Sequence, residues 1–181
     1  MHDPYHELPV LKWAWLYIAI DVRDLSICKI GITIREDPNT RLRECMTSNP
    51  FYNFFNCYDM SRFSISKKEL LDLERYLHRK LGIRLNSIGT GHETEWVSIS
   101  PYLAEKEIDY IICNNFYFLG NSMIDEDGNL HKEYLSEVKH RIRPDPLGLF
   151  FNSFVRYEDC QEYYDYLMDH HNYPKEPFKL R

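Results

Sequence analysis

The sequence predicts an α+β fold, in which a three-stranded, mainly antiparallel sheet is flanked by helices and followed by a C-terminal β-hairpin and helix. Two neighbouring apolar runs, 13–22 and 25–34, are rich in aromatic and β-branched residues and predict paired strands. A leucine repeat at three- and four-residue spacing begins after Ser66 and predicts a helix. The predicted order β-β-α-β-α-(β)-α therefore places helices against a small sheet.

The remaining strands are predicted from short runs bounded by turn residues. A short charged link joins the first two strands and favours a hairpin. A third run, 51–61, follows the helix-breaking pair Asn49-Pro50 and predicts a third strand. The segment 94–100, after a loop over 86–92, predicts a short strand or an extended segment.

Capping signals define the helices. Ser66 opens an S-x-x-E capping box, and the helix after it is expected to end at Gly82. A shorter helix is predicted over 41–48, with Asn39 or Thr40 as its N-cap.

The chain is expected to divide into an N-terminal arm (1–13), a core (14–115) and a C-terminal extension (116–181) whose role the sequence leaves open. The pair Ser100-Pro101 predicts the start of the last core helix, which runs to about Asn114. The sequence of the extension predicts three elements: a hairpin around an Asp-Gly turn, a short helix over 132–142, and a final acidic helix over 157–171.

Composition favours a soluble protein with a packed core. The chain has 181 residues, of which 44% are apolar, enough for one domain with an extension. It lacks an apolar run of about eighteen residues and the features of a signal peptide. We expect a cytoplasmic protein without membrane contact, or one in the host cytoplasm if a phage encodes it. The 5 cysteines are widely separated, which predicts reduced, buried thiols rather than zinc ligands or disulfides.

Charge is unevenly distributed along the chain. The net charge is −6, but residues 28–84 hold 11 Lys and Arg against 7 Asp and Glu, a local excess of +4. A basic middle between acidic ends is compatible with a phosphate-binding face, although solvated helix surfaces give the same pattern.

Five short sequence motifs occur in a specific order along the chain. They are Leu16-Tyr17, Lys29-Ile30-Gly31, Arg41-Leu42, the L-E-x-x-L-H segment 73–78, and Glu95-Trp96-Val97. Together they resemble the GIY-YIG endonuclease superfamily, and more narrowly its phage and bacterial branch in which KIG replaces YIG.

The resemblance covers about residues 14–113 and leaves the last third of the chain unexplained. It has departures: Trp15 and Leu16 stand where the family motif has Gly and Ile, and Lys29 replaces the first Tyr of YIG.

The resemblance implies metal-assisted hydrolysis of a phosphodiester. Tyr17 would be the base that takes a proton from water, with Lys29 favouring its phenolate or orienting the water. Arg41 would bind a phosphate oxygen, and His78 would assist at the scissile phosphate. Glu95 would be the metal ligand for Mg²⁺ or Mn²⁺.

Further contacts to nucleic acid are expected from residues around this set. If the first two strands form a hairpin, Tyr17 and Lys29 share a face, and Gly31 is expected to leave room for the backbone and phosphate to approach. Arg43 lies two positions after Arg41 and faces away from it on a helix. The expected nucleic-acid-binding set is Lys29, Thr33, Arg41 and Arg43.

Each of these residues also has a purely structural interpretation. Tyr17 fits an aromatic core, Lys29 fits an edge strand, and Arg41 fits a solvated helix. Glu74 and His78, at positions i and i+4, fit a surface pair. Three other patterns do not support a site: the two histidines at 170–171, IDEDGN at 124–129 and IGTGHE at 88–93.

The resemblance thus implies a divalent-metal-dependent endonuclease, a hydrolase of bacteriophage or mobile-element type that leaves 5′-phosphate and 3′-hydroxyl ends. DNA is favoured over RNA as its substrate. Two alternatives stay open: an enzyme of restriction or homing type whose C-terminal third reads sequence, and a catalytically inactive binding module, for example an inhibitor or regulator of host defence. The extension at 116–181 is the expected surface for a homodimer or a protein partner.

Overall fold

The computed structural model of the chain describes residues 8–114, 135, 138–140 and 157–171. Its elements are β1 (Trp15–Asp21), β2 (Asp24–Thr33), α1 (Asn39–Met46), β3 (Tyr52–Asp59), a 3-10 helix (Met60–Phe63), α2 (Lys67–Lys80), β4 (Arg84–Asn86), β5 (Glu93–Val97), α3 (Pro101–Asn114), β6 (Lys139–His140), a second 3-10 helix (Tyr157–Cys160) and α4 (Gln161–His171). The predicted α+β class is confirmed.

The strands form one sheet in the order β4-β5-β2-β1-β3-β6, and each described pairing is antiparallel. The expectation of three strands is therefore wrong, because the described residues alone contribute six strands to the sheet. β4 and β6 are only three and two residues long, too short to show an apolar alternation in the sequence.

β1 lies at the centre of the sheet and sends side chains into two separate apolar clusters. Leu16, Ile18 and Ile20 face the main core, whereas Tyr17 and Ala19 face the other side. This division follows from the two-residue period of a strand. We call the side that carries Tyr17 the second face.

The main core lies between the sheet and helices α2, α3 and α4. The capping box at the start of α2 is confirmed: Glu69 N–H donates to Ser66 Oγ, and Glu69 Oε2 accepts from Ser66 N–H at 2.7 Å. Leucines at the predicted spacing are buried in this core. Gly82 follows the helix with φ 141°, a conformation that side chains disfavour, so the predicted end is also confirmed.

Helix α1 covers the second face. It connects β2 to β3, which lie on either side of β1, and it places Leu42 and Cys45 against the second cluster. The predicted N-cap is wrong, because Pro38 occupies that position without a side-chain cap. Asp37 Oδ1 instead accepts the backbone N–H of Asn39 in a local turn.

The described parts of the C-terminal extension pack on the core. β6 pairs with β3, and Lys139 of β6 contacts Glu105 at 2.7 Å and Asp109 at 2.8 Å on α3. Tyr166 of α4 stacks on Phe55 with ring centroids 4.7 Å apart. The final helix over 157–171 is confirmed as a 3-10 turn followed by α4.

Two other expectations for the extension meet the structure differently. Of the helix expected over 132–142, Leu135 and Val138 are helical, whereas Lys139–His140 form a strand that pairs with the edge of β3. The strands and the Asp-Gly turn of the expected hairpin, over 115–134, lie outside the described residues.

The N-terminal arm contacts the core through Val10, which bridges to Ser66, and through Leu11 N–H, which donates to Ile65 O at 2.9 Å. All five cysteines are free thiols; four are buried and Cys45 is partly exposed. Within the described part of the chain, none of the helices is long and apolar enough to span a membrane.

Candidate active site

Tyr17 and Gly31 are cross-strand partners on the second face. Tyr17 is only 1% exposed, and its ring lies directly over the α-carbon of Gly31. A β-carbon at Gly31 would come within 2.5 Å of Tyr17 Cζ. The space above Gly31, expected to admit backbone and phosphate, is therefore filled by Tyr17. Glycine is needed here because of a tyrosine ring, not because of backbone conformation.

Lys29 lies two residues before Gly31 on the same face, as the predicted hairpin required. Its Nζ is 2.9 Å from Glu95 Oε2 and 5.8 Å from the centre of the Tyr52 ring. Burial lowers the pKa of Lys29, but Tyr17 and Glu95 more than offset this and leave the pKa raised. Lys29 therefore carries a positive charge between a tyrosine hydroxyl and a carboxylate.

Arg41 reaches the same place from α1. Its guanidinium donates to Glu44 Oε2 at 2.9 Å and lies close enough to the Tyr17 hydroxyl to influence its pKa. Arg43 points elsewhere and contacts Asp37 and Thr40 at 3.5 and 3.2 Å. The helical geometry thus separates the two arginines as the sequence predicted, and Arg41 is the one that joins the cluster.

The pKa of Tyr17 is raised above its ordinary value of 10.0. Burial is the largest cause, and it outweighs the positive charge of Lys29 and the hydrogen bond from Arg41, both of which favour the phenolate. At neutral pH the hydroxyl therefore keeps its proton.

Helix α2 adds two side chains along the edge of β2. His78 is 7% exposed, and its Nε2–H donates to Ile30 O at 2.8 Å. Burial lowers the pKa of His78, so the ring is neutral at pH 7. His78 therefore fastens α2 to β2 just behind the Tyr17 face, rather than lying exposed on it.

Glu74 lies one turn earlier on α2 and has a shifted pKa. Burial raises the pKa of Glu74 to about 7, with the charge of Glu95 as the next cause. A carboxyl group that titrates near neutrality beside a second carboxylate is typical of functional sites. The signals in the sequence were the i, i+4 spacing of Glu74 and His78 and the L-E-x-x-L-H segment 73–78 that contains both.

Thr33 ends β2 at the border of this site. Its side chain is largely buried, and its Oγ1 accepts the backbone N–H of Arg35 at 3.3 Å. Thr33 and Arg41 line the same open groove, so Thr33 lies beside the arginine that was predicted to bind phosphate.

The carboxylates fit a divalent cation in kind. The Glu95 side chain is 39% exposed. It lies close enough to Glu74 for its negative charge to raise the pKa of Glu74. Mg²⁺ is usually held by one or two carboxylates together with water and substrate phosphate. No cluster of three or more acidic, His or Cys side chains suited to a metal ion occurs within the described residues.

Comparison with known proteins gives no match to a family model, a curated protein or a solved structure. What the chain does is therefore inferred from the geometry of this cluster.

Proposed function

We propose that the chain is a divalent-metal-dependent endonuclease of the GIY-YIG type that hydrolyses phosphodiester bonds in DNA. One observation supports the proposal: Tyr17, Lys29, Arg41 and Glu95 come from three strands and a helix and yet gather around the Tyr17 hydroxyl, where Lys29 contacts Glu95 at 2.9 Å and all three influence the pKa of Tyr17. A purely structural role for each residue gives no reason for four charged or ionisable groups to converge there.

The residues divide the work of hydrolysis between them. Water attacks phosphorus, forms a new P–O bond and breaks the bond to the 3′ oxygen, which leaves as a hydroxyl after taking a proton from solvent. Arg41 binds a non-bridging oxygen of the phosphate through its planar fork. To take the proton of the attacking water, Tyr17 must first lose its own proton. Burial raises its pKa and opposes this, whereas the charges of Lys29 and Arg41 favour the phenolate.

Glu95, with Glu74 beside it, would hold Mg²⁺ or Mn²⁺, and the bound ion would stabilise negative charge on the phosphate. Without the ion, Lys29 neutralises Glu95 at 2.9 Å. His78 acts indirectly: its hydrogen bond to Ile30 O fixes the position of α2 on the sheet and hence the position of Glu74.

The proposal is tested by cleavage of labelled single- and double-stranded DNA and of RNA with Mg²⁺, Mn²⁺ or EDTA. The variant Glu95→Gln is compared with Glu93→Gln, which removes a neighbouring exposed carboxylate that pairs with Arg84. We expect metal-dependent cutting that Glu95→Gln abolishes and Glu93→Gln retains. Cutting that is unchanged by Glu95→Gln would exclude this site as the catalytic one.

A second function, a binding module without catalysis, is favoured by a different observation. The cations of the site already have acidic partners: Glu44 binds Arg41, and Glu95 binds Lys29. A Mg²⁺ titration separates the two functions. The enzyme is expected to bind the ion more tightly when nucleic acid is present, since substrate phosphate completes the coordination, whereas the module shows no such coupling.

A further inference from the structure

A basic groove begins at Arg41 and leads away from Tyr17. It is an open groove of about 270 Å³, and its cationic lining comes from Arg35, Arg41 and Lys67. Ile34 and Leu71 supply an apolar part of the lining, and Ile34 is substantially exposed. The groove thus joins the end of β2 to the first residue of α2, with three positive charges on one concave surface.

Glu44 pairs with two of the arginines that line this groove. Its Oε1 contacts Arg35 at 2.7 Å while its Oε2 contacts Arg41 at 2.9 Å, so two guanidinium groups converge on one carboxylate. The hydrogen bond from Arg41 is the main reason that the pKa of Glu44 is lowered. A carboxylate and a phosphate present similar paired oxygens to arginine, so the arrangement already has the geometry for a phosphodiester.

Glu44 is also placed to be displaced. Its side chain is 37% exposed, and Arg35 is more exposed still, so both ion pairs are in contact with water. Exposed ion pairs of this kind are weak and are screened by salt. A strand with several phosphates can therefore compete for the two arginines.

We propose that this groove binds the phosphate next to the scissile one, with Arg35 and Lys67 as its ligands and Glu44 as a carboxylate that nucleic acid displaces. Arg41 is shared between the groove and the active site, so the strand runs from Tyr17 past Arg41 toward the start of α2. The apolar lining at Ile34 and Leu71 contacts a sugar or base of the same strand. The inference deepens the proposed function, on which it rests.

The salt dependence of binding tests the groove directly. Labelled DNA in EDTA is titrated with full-length protein at several concentrations of salt between about 50 and 200 mM. The double variant Arg35→Gln/Lys67→Gln is compared with Arg79→Gln/Lys80→Gln, which removes the same charge from the last turn of α2, about 20 Å from Lys67. We expect the first variant to reduce the magnitude of the negative slope of log K for binding against log salt by about 1 to 2. The second variant should leave the slope unchanged.

A further variant is expected to strengthen DNA binding rather than weaken it, which controls for misfolding. Glu44→Gln frees Arg35 and Arg41, and we expect it to bind DNA several-fold more tightly than the wild type. Glu107→Gln makes the same charge change on an exposed face of α3 and is expected to bind as the wild type does. Tighter binding by Glu44→Gln cannot result from a damaged fold.

Three outcomes overturn the groove: equal slopes for the two double variants, Glu44→Gln binding no better than Glu107→Gln, or a wild type that does not bind DNA. Cleavage decides the enzyme separately. A wild type that cuts while the groove variants bind normally leaves the nuclease standing and rejects the groove. A wild type that binds through the groove and never cuts supports the groove and rejects the nuclease.

Discussion

Tyr17 and Gly31 act as one unit, because each explains the presence of the other. The sequence presents them as parts of two short motifs fourteen positions apart, and the sheet register makes them direct neighbours. The tyrosine ring needs a partner without a β-carbon, and the glycine in turn holds the hydroxyl in reach of Arg41. The position of the hydroxyl is therefore set by sterics as much as by charge.

We predict that Gly31→Ala displaces Tyr17 and lowers activity. The new β-carbon would come within 2.5 Å of Tyr17 Cζ, so the ring must move. We expect a loss of cleavage rate on the order of 10²-fold and a loss of about 1–3 kcal/mol in stability, as for other overpacked sites. Gly89→Ala is the control, because nothing lies within 4 Å of its new β-carbon. Equal activity of both variants would contradict this role for Gly31.

Glu74 gives a prediction for stability against pH. The pKa of Glu74 in the folded chain is raised from 4.5 to about 7, so the folded state binds this proton more tightly than the unfolded state does. Its contribution is fully present below about pH 4.5 and is lost as the pH rises through about 7.

Between about pH 4 and 8 we expect wild type to lose about 1–3 kcal/mol of unfolding free energy relative to Glu74→Gln. Urea unfolding of both proteins across this range measures the difference. Glu107→Gln, from an exposed surface, is the control. A difference that grows in the opposite direction would show that Glu74 is ionised more easily when folded.

At the scale of elements, local signals predicted what is local. The capping box, the leucine spacing and the glycine after α2 lie within one segment, and the structure agrees with each of them. The alternation of apolar residues in β1 and β2 predicted which side chains share a face, which is why Tyr17 and Lys29 were paired correctly.

What the sequence did not predict depends on contacts between elements. Glu74 could not be placed near Glu95 until the position of α2 beside the sheet was known, since the burial and the charge of Glu95 that raise its pKa come from other elements. Glu44 likewise gains its meaning from Arg35 and Arg41 together. The predicted N-cap of α1 was wrong for a different reason: the Asp37 side chain accepts the backbone N–H of Asn39 in a local turn just before the helix.

The N-cap of α2 yields a prediction at this scale. Ser66→Ala removes the acceptor for Glu69 N–H and leaves a partly buried backbone donor without its side-chain cap. We expect a loss of about 1 kcal/mol in unfolding free energy, which denaturant titration would measure. Ser66→Asp keeps an acceptor at the same position and should restore part of the loss. A loss equal in both variants would show that the hydroxyl acts through packing instead.

At the scale of the whole molecule, the C-terminal helix packs on the face of the sheet opposite Tyr17 and the candidate active site. Tyr163 and Leu167 of α4 are buried in the main cluster, and the Tyr163 hydroxyl accepts from Asn53 Nδ2 at 3.1 Å on β3. The far side of the sheet is thus held by residues more than a hundred positions from Tyr17 along the chain.

Removing the Tyr166 ring tests how much the packing of α4 contributes to the stability of the fold. Tyr166→Ala deletes a side chain that stacks on Phe55 and Tyr163, and we expect a loss of about 3–5 kcal/mol. The melting temperature should fall by on the order of 10 °C. Tyr110→Ala is the control, since that tyrosine is 64% exposed on α3, and a similar fall in both variants would contradict the prediction.

The short outermost strands have a consequence for handling the protein. β4 and β6 end the sheet with three and two residues, so each offers little backbone for a strand of another molecule to join. A truncation that removed β6 would uncover β3, an eight-residue strand rich in aromatic side chains. Such a fragment would recruit further copies edge to edge, and its first symptom would be aggregation during expression rather than loss of cleavage.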